Sequence, residues 1–307
     1  MKNVMSKALV AVLLLMVSFV GRNMAQETAT AAVTTTKVAL KAADNNNTLL
    51  WKIEGKGIQT SYLYGTIHLI PQADFFIADA TATAFAAADQ IVMELKMDDP
   101  NMQMQIMQNA AMTDGTTLDK LLSEENYKRV DELLKSALGV GVAPFNTWQP
   151  LLTSSLFMTK FIEGTPASYE GSFTTMAKEA NKEILGLETV LDQVGAMGEV
   201  PYQKQADLLV ETISDMDGMK GMFSDMVSIY KKQDITALHV MITEQTGGEE
   251  IAEFLLDKRN KNWVTKIGEL AKEKSSFIAV GSGHLGGKNG VVQLLKDAGY
   301  QLTPIAN

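Results

Sequence analysis

The 307-residue chain has three histidines, and two of them close the same short phrase. Tyr64-Gly65-Thr66-Ile67-His68 lies towards one end, and Val280-Gly281-Ser282-Gly283-His284 towards the other. Neutral imidazole binds divalent ions and carries protons near neutral pH. Two imidazoles at one point, joined by a carboxylate, can hold such an ion and leave a position for water. A lone His after a strand is more often a hydrogen-bonded loop residue, and a single Gly-x-x-His has little specificity. The repetition is what favours a shared site. Glu94 directly follows the apolar run Ile91-Val92-Met93, and Glu188 follows Ile184-Leu185-Gly186-Leu187. A carboxylate there is ordinarily an edge charge turned outward. Arg259 falls four residues after Leu255 and four before Trp263, on the apolar stripe of a helix. A guanidinium in that stripe needs a carboxylate, a carbonyl or an anion, with Glu94 and Glu188 as candidates, or it snorkels from the stripe's edge. The third histidine, His239, borders an apolar helix face among Ile235, Leu238, Met241 and Ile242, where a structural role is expected.

Each Gly-x-x-His follows an apolar run, Tyr62-Leu63-Tyr64 or Phe277-Ile278-Ala279-Val280. A short apolar run closed by Gly reads as a buried strand that stops and turns. Each histidine then lies beyond a strand's carboxyl end, the edge where open α/β sheets bind ligands. Leu49–Ile53 and Ser61–Tyr64 read as a hairpin turned at Gly55-Lys56-Gly57, Phe76–Ala88 as a helix, and Ile91–Met93 as a strand. Residues 101–262 are mostly helical. Ser123 is an expected N-cap, Gly139 a stop, Pro150 and Pro201 are starts, and Ser172 an expected cap for a helix through Ala180. Within this stretch Ile184–Leu187 reads as a strand. Met219, Met222 and Met226 share one helix face, a core seam rather than a groove for apolar ligands. One helix is expected from Glu249 to Lys272. Val291–Ala298 reads as a helix and Tyr300–Ile305 as a final strand. Gly281-Ser282-Gly283 lacks the spacing of a dinucleotide or phosphate loop.

Lys2 and Lys7 precede the apolar core Ala8–Val17, and Ala25 offers a cut before Gln26, the layout of a secretory signal peptide. An uncleaved anchor is the alternative. Residues 26–47 read as a flexible lead-in with weak β character at Lys37–Leu40. There is no cysteine, which removes disulfides, thiolate ligands and Cys nucleophiles. The net charge of −9 and the lack of a basic cluster argue against a nucleic-acid partner. No membrane span is expected after processing, and oligomeric state is not legible.

Tyr62–His68 and Phe277–Leu285 with Gly287 resemble the paired Gly-x-x-His motifs of the TraB/GumN family. So do Ile91–Leu95, Leu187-Glu188-Thr189 with Gln193, and Arg259-Asn260 with Trp263. Order and spacing agree from about Leu50 to Ile305. The resemblance implies an α/β fold with a central mixed sheet, flanking helices and a large helical insertion, about 101–262, in one domain, 48–307. The family includes the Tiki proteins, metal-dependent proteases that cut extracellular signalling proteins. Their site uses both Gly-x-x-His motifs and a glutamate, which correspond to His68 and His284 with Gly65 and Gly281, and to Glu94. Related folds include erythromycin esterases and a haem-binding lipoprotein. Many relatives carry an Asp shortly after a glycine where this chain has Tyr169-Glu170-Gly171-Ser172-Phe173, which argues against a site role for that segment here.

The combined expectation is a periplasmic or secreted metal-dependent hydrolase, above all a peptidase acting on peptide or protein. The ion is Mn, Co or Zn, held by His68, His284 and Glu94. Glu94 is a ligand or the general base, and Arg259 steadies Glu94 or an oxyanion. The alternatives are a binding protein for a metal, haem or small ligand, and an esterase.

Overall fold

The computed structural model describes residues 38–43, 47–55, 57–245 and 248–307. The expected signal peptide, 1–25, and the lead-in up to residue 37 lie outside the described residues.

The fold is α/β around a six-stranded mixed sheet. In chain order the strands are β1 (Leu50–Glu54), β2 (Ser61–Thr66), β3 (Ile70–Pro71), β4 (Gln90–Met93), β5 (Pro166–Ala167), β6 (Glu183–Gly186), β7 (Ser276–Gly281) and β8 (Gln301–Ile305). The sheet order is β6-β4-β7-β2-β1-β8, and β3 pairs with β5 as a separate two-residue ladder. β1 is antiparallel to β2 and β8, whereas β2, β7, β4 and β6 are mutually parallel. The parallel strands are short and mostly apolar because helices cover both faces of such a sheet. Both β2 and β7 are buried along their whole length.

Register is what brings the two histidine phrases together. Gly65 pairs with Val280 and Thr66 with Gly281, so both motifs leave the sheet side by side. β4 flanks β7 on the other side, with Met93 opposite Ala279, which delivers Glu94 to the same edge. Beyond β6 the ladder continues, with Glu188 N–H donating to the Glu94 carbonyl at 3.0 Å. Four chain segments therefore end on one rim.

The insertion is helical apart from β5 and β6, and four details depart from expectation. The helix Tyr169–Glu179 is capped by Ser168, whose hydroxyl accepts from Gly171 N–H. Ser172 sits inside that helix, donating to the Ser168 carbonyl, because Ser168 already satisfies the first turn. The helix expected from Glu249 to Lys272 is two α segments, Glu249–Ala252 and Lys258–Glu273, joined by a π-helical turn, Glu253–Asp257. Such turns carry one extra residue and cluster at functional sites, and this one directly precedes Arg259. The helix expected from Phe76 starts at Asp79. Finally, the described part of the lead-in lies along β8: Ala42 bridges Ile305, and Ala43 N–H donates to the Pro304 carbonyl at 2.8 Å. Ser123, Gly139 and the buried Met219, Met222 and Met226 take their expected places.

Candidate active site

Glu94 is the hub. Its Oε1 accepts from Gly281 N–H at 2.8 Å, and its Oε2 accepts from Arg259 Nη2 at 2.6 Å and Gln193 Nε2 at 3.3 Å. The carboxylate is 2% exposed, so it turns inward, contrary to the usual behaviour of an edge charge. Its partners at the rim explain this.

The two imidazoles face the same oxygen. His68 Nε2 and His284 Nε2 each lie 3.9 Å from Glu94 Oε1. Each ring is fixed from behind through Nδ1. His68 Nδ1 is 2.8 Å from Glu170 Oε1, and His284 Nδ1 is 2.7 Å from Asn260 Oδ1. Asn260 donates its amide to the Asn289 carbonyl at 2.9 Å, which leaves Oδ1 as the acceptor. Both acceptors require Nδ1–H, so in the neutral rings both Nε2 lone pairs point inward. His284 Nε2 receives Arg259 Nη1 at 3.4 Å. His68 Nε2 is buried with no hydrogen-bond partner among the described residues.

Arg259 is 4% exposed and fully engaged. Nε donates to both Glu188 oxygens at 3.1 Å, Nη2 also reaches Glu188 Oε1 at 2.6 Å, and Nη1 reaches the Leu255 carbonyl at 2.8 Å. Trp263 donates Nε1–H to Glu188 Oε2 at 3.0 Å, and its ring lies 4.8 Å from the guanidinium and 4.4 Å from the His284 ring. The expected carboxylate partners of Arg259 are thus both present.

Gly281 belongs to the site by space as well as by hydrogen bond. A Cβ there would stand 3.3 Å from both Glu94 Oε1 and His68 Nε2, inside the gap these donors face. Gly65 is different. The space where its side chain would go is walled by Leu285, Ser282 and Leu49, so it lets the second motif pack against β2 rather than facing the donors. His239 sits behind that motif, with Nδ1 3.4 Å from the Gly283 carbonyl and its ring against Gly287.

Glu94, Glu170 and Glu188 are 2, 3 and 6% exposed; Glu94 and Glu188 share the Arg259 guanidinium, and Glu170 faces His68. Burial lowers the His68 pKa, but Glu170 and then Glu94 outweigh it and the net shift is upward. Burial and then Arg259 push His284 well below 6.5. Burial, with Glu94 adding to it, raises the Glu188 carboxyl against the pull of Arg259, and the net shift is upward. Imidazole nitrogens and a carboxylate oxygen are the donor types that divalent ions take. Among the described residues no group of three His, Asp or Glu side chains is a ready-made ion cage. Tetrahedral ligands of one ion stand about 3.4 Å apart, so the 3.9 Å separations need to close by about half an ångström.

The depressed His284 pKa has a consequence for stability. The unfolded chain takes up a proton below the ordinary value of 6.5 and the folded chain does not. This contribution to stability is therefore whole above 6.5 and is lost as pH falls towards the folded pKa. In metal-free protein, His284→Gln should shrink the loss of stability between pH 7.5 and 5.5, read by urea unfolding at both values. An unchanged or larger acid loss would contradict this account of His284.

Three residues of the site were not assigned roles from sequence. Glu170 lies in the segment judged an improbable contributor, yet it holds His68. Asn260 was visible only as the neighbour of Arg259, and Gln193 only as part of a motif. A Glu in the first turn of a Ser-capped helix was a signal, but it was equally consistent with ordinary helix capping.

The TraB/PrgY/gumN family model matches residues 49–304. Metalloprotease TIKI2 of Danio rerio is 21% identical over 83% of this chain and 60% of its own length. Metalloprotease TIKI2 of Xenopus tropicalis is 22% identical over 85% and 60%, and metalloprotease TIKI1 of Homo sapiens 21% over 83% and 61%. The chain thus spans about three fifths of the length of these relatives. No solved structure gives a significant match.

Proposed function

The chain belongs to the TraB/PrgY/gumN family, and within it we propose an exported, metal-dependent hydrolase of peptide bonds. The observation that carries this reading is the buried Nε2 of His68, without a hydrogen-bond partner among the described residues, set with the Nε2 of His284 around one oxygen of the buried Glu94. The metalloprotease names of the relatives agree with it. His68 and His284 would hold the ion through Nε2, with Glu94 Oε1 beside them. A divalent Mn, Co or Zn ion there supplies Lewis acidity, which acidifies water and polarises a carbonyl. Glu94 is either the third ligand or the base that takes the proton from water at Oε1. Arg259, anchored on Glu188 and on the Leu255 carbonyl, would hold Glu94 in place through Nη2. Gly281 leaves room between the donors. The reading includes a leader over 1–25 and one domain over 48–307. Among the described residues no helix is long and apolar enough to cross a membrane.

A second reading rests on burial. His284 is 0% and His68 4% exposed, so a peptide reaches the donors only if the rim opens. A closed site of this kind also suits a protein that stores or senses an ion without turnover. The test is hydrolysis of a fluorogenic peptide mixture by chelator-stripped protein, with Mn, Co or Zn added back singly. Activity restored by one ion and removed by chelator supports the hydrolase. Uptake of an ion without cleavage of any peptide replaces it with the binding protein.

A further inference from the structure

We propose that Glu170 is the positioning residue of His68, locking its ring and tautomer so that Nε2 presents a lone pair to the site. The inference rests on the metal-site reading given above for what Nε2 is presented to, but the lock itself is a property of the metal-free chain.

Four observations support it. Glu170 Oε1 stands 2.8 Å from His68 Nδ1 across 102 residues of sequence. Two hydroxyls also donate to the carboxylate: Thr66 Oγ1 to Oε1 at 2.6 Å and Ser168 Oγ to Oε2 at 3.2 Å. An ionised carboxylate accepts only, so Nδ1 must carry a proton, and in the neutral ring Nε2 is then the lone-pair nitrogen. Thr66 is part of the same phrase as His68, so the first motif supplies both the imidazole and a donor that aims the carboxylate.

The backbone is also arranged to deliver this pair. The β3–β5 ladder ties the chain just after His68 to the chain just before Glu170, through Ile70 opposite Ala167 and Gln72 N–H to the Thr165 carbonyl at 2.7 Å. Ser168 then caps the next helix and places Glu170 in its first turn, where the helix dipole favours a negative charge. The other imidazole has no such partner, since His284 is held by the neutral amide of Asn260. The charged support belongs to His68 alone.

The alternative is that Glu170 merely satisfies a buried ring and contributes stability. The tautomer separates the two. Three histidines make the imidazole nitrogens of this chain few enough to assign. At a pH where the ring is neutral, long-range 1H–15N spectra of metal-free protein should show His68 as a single Nδ1–H tautomer. Glu170→Ala should give a mixture with Nε2–H. The isosteric Glu170→Gln carries the same test if the alanine variant does not fold, because its amide can turn either an oxygen or an NH2 group to Nδ1. Titration with Mn2+ is the second readout. Loss of a carboxylate behind a ligating imidazole lowers affinity about 10–100-fold, and Glu170→Gln should fall near the lower end. A His68 that stays wholly Nδ1–H in the folded variants overturns the proposal. Wild-type Mn2+ affinity in those variants overturns it as well. Wild-type protein that binds no metal while the tautomer shifts as expected refutes the metal reading and leaves the lock standing.

Discussion

Replacing Arg259 by leucine should cost the folded protein about 3–5 kcal/mol, measured by denaturant unfolding at neutral pH. The reason is the two carboxylates left behind. Glu94 and Glu188 are 2 and 6% exposed, and Arg259 Nη2 lies 2.6 Å from each. Leucine matches the apolar stripe of Leu255 and Trp263 but supplies no donor. Gly281 N–H, Gln193 and Trp263 Nε1–H still reach the carboxylates, yet none of them carries charge. Protonating the carboxylates is the way out, so the penalty should shrink on acidification. Arg259→Lys should lie between, since an ammonium keeps the charge but cannot span both carboxylates and the Leu255 carbonyl as a fork does. A leucine variant within 1 kcal/mol of wild type would mean that the cluster does not depend on its cation.

The second large effect is on turnover. His68→Ala and His284→Ala should each reduce metal-dependent peptide hydrolysis to that of chelated protein. The fold should survive: Glu170 keeps the Thr66 and Ser168 hydroxyls, and Asn260 keeps its amide bond to the Asn289 carbonyl, while its Oδ1 loses the His284 donor. Glu94→Gln asks a finer question. Its amide oxygen can accept from either Gly281 N–H or Arg259, but the amide NH2 must then face the other donor. This mismatch costs about 1–3 kcal/mol of stability. If Glu94 is chiefly the base, the variant retains ion while turnover drops about 10²–10⁴-fold. If Glu94 is chiefly a ligand, ion and turnover are lost together. Rates measured at saturating ion distinguish these cases, and wild-type rates in any of the three variants would remove that residue from the chemistry.

The strands were legible because parallel strands buried on both faces are plain apolar runs. Arg259 was legible because a charge inside a helical stripe demands partners. The convergence itself was suggested by the repeated Gly-x-x-His, but its cause, the pairing of Gly65 with Val280 and Thr66 with Gly281, is a long-range register that no local pattern carries. Glu170 was missed for the same reason. Its contact with His68 depends on a two-residue ladder, too short for any periodicity to signal. The π turn before Arg259 was also hidden, because one inserted residue hardly disturbs a hydrophobic stripe.

The most direct test of the central claim is the metal content of tag-free protein purified without chelator, compared with the His68→Ala, His284→Ala double variant. Inductively coupled plasma mass spectrometry should find about one divalent ion per wild-type chain, as one shared set of donors implies, and none in the folded double variant. A wild-type chain that stays empty when dialysed against Mn, Co and Zn, or a double variant that keeps the full ion, would contradict a shared site at His68, Glu94 and His284.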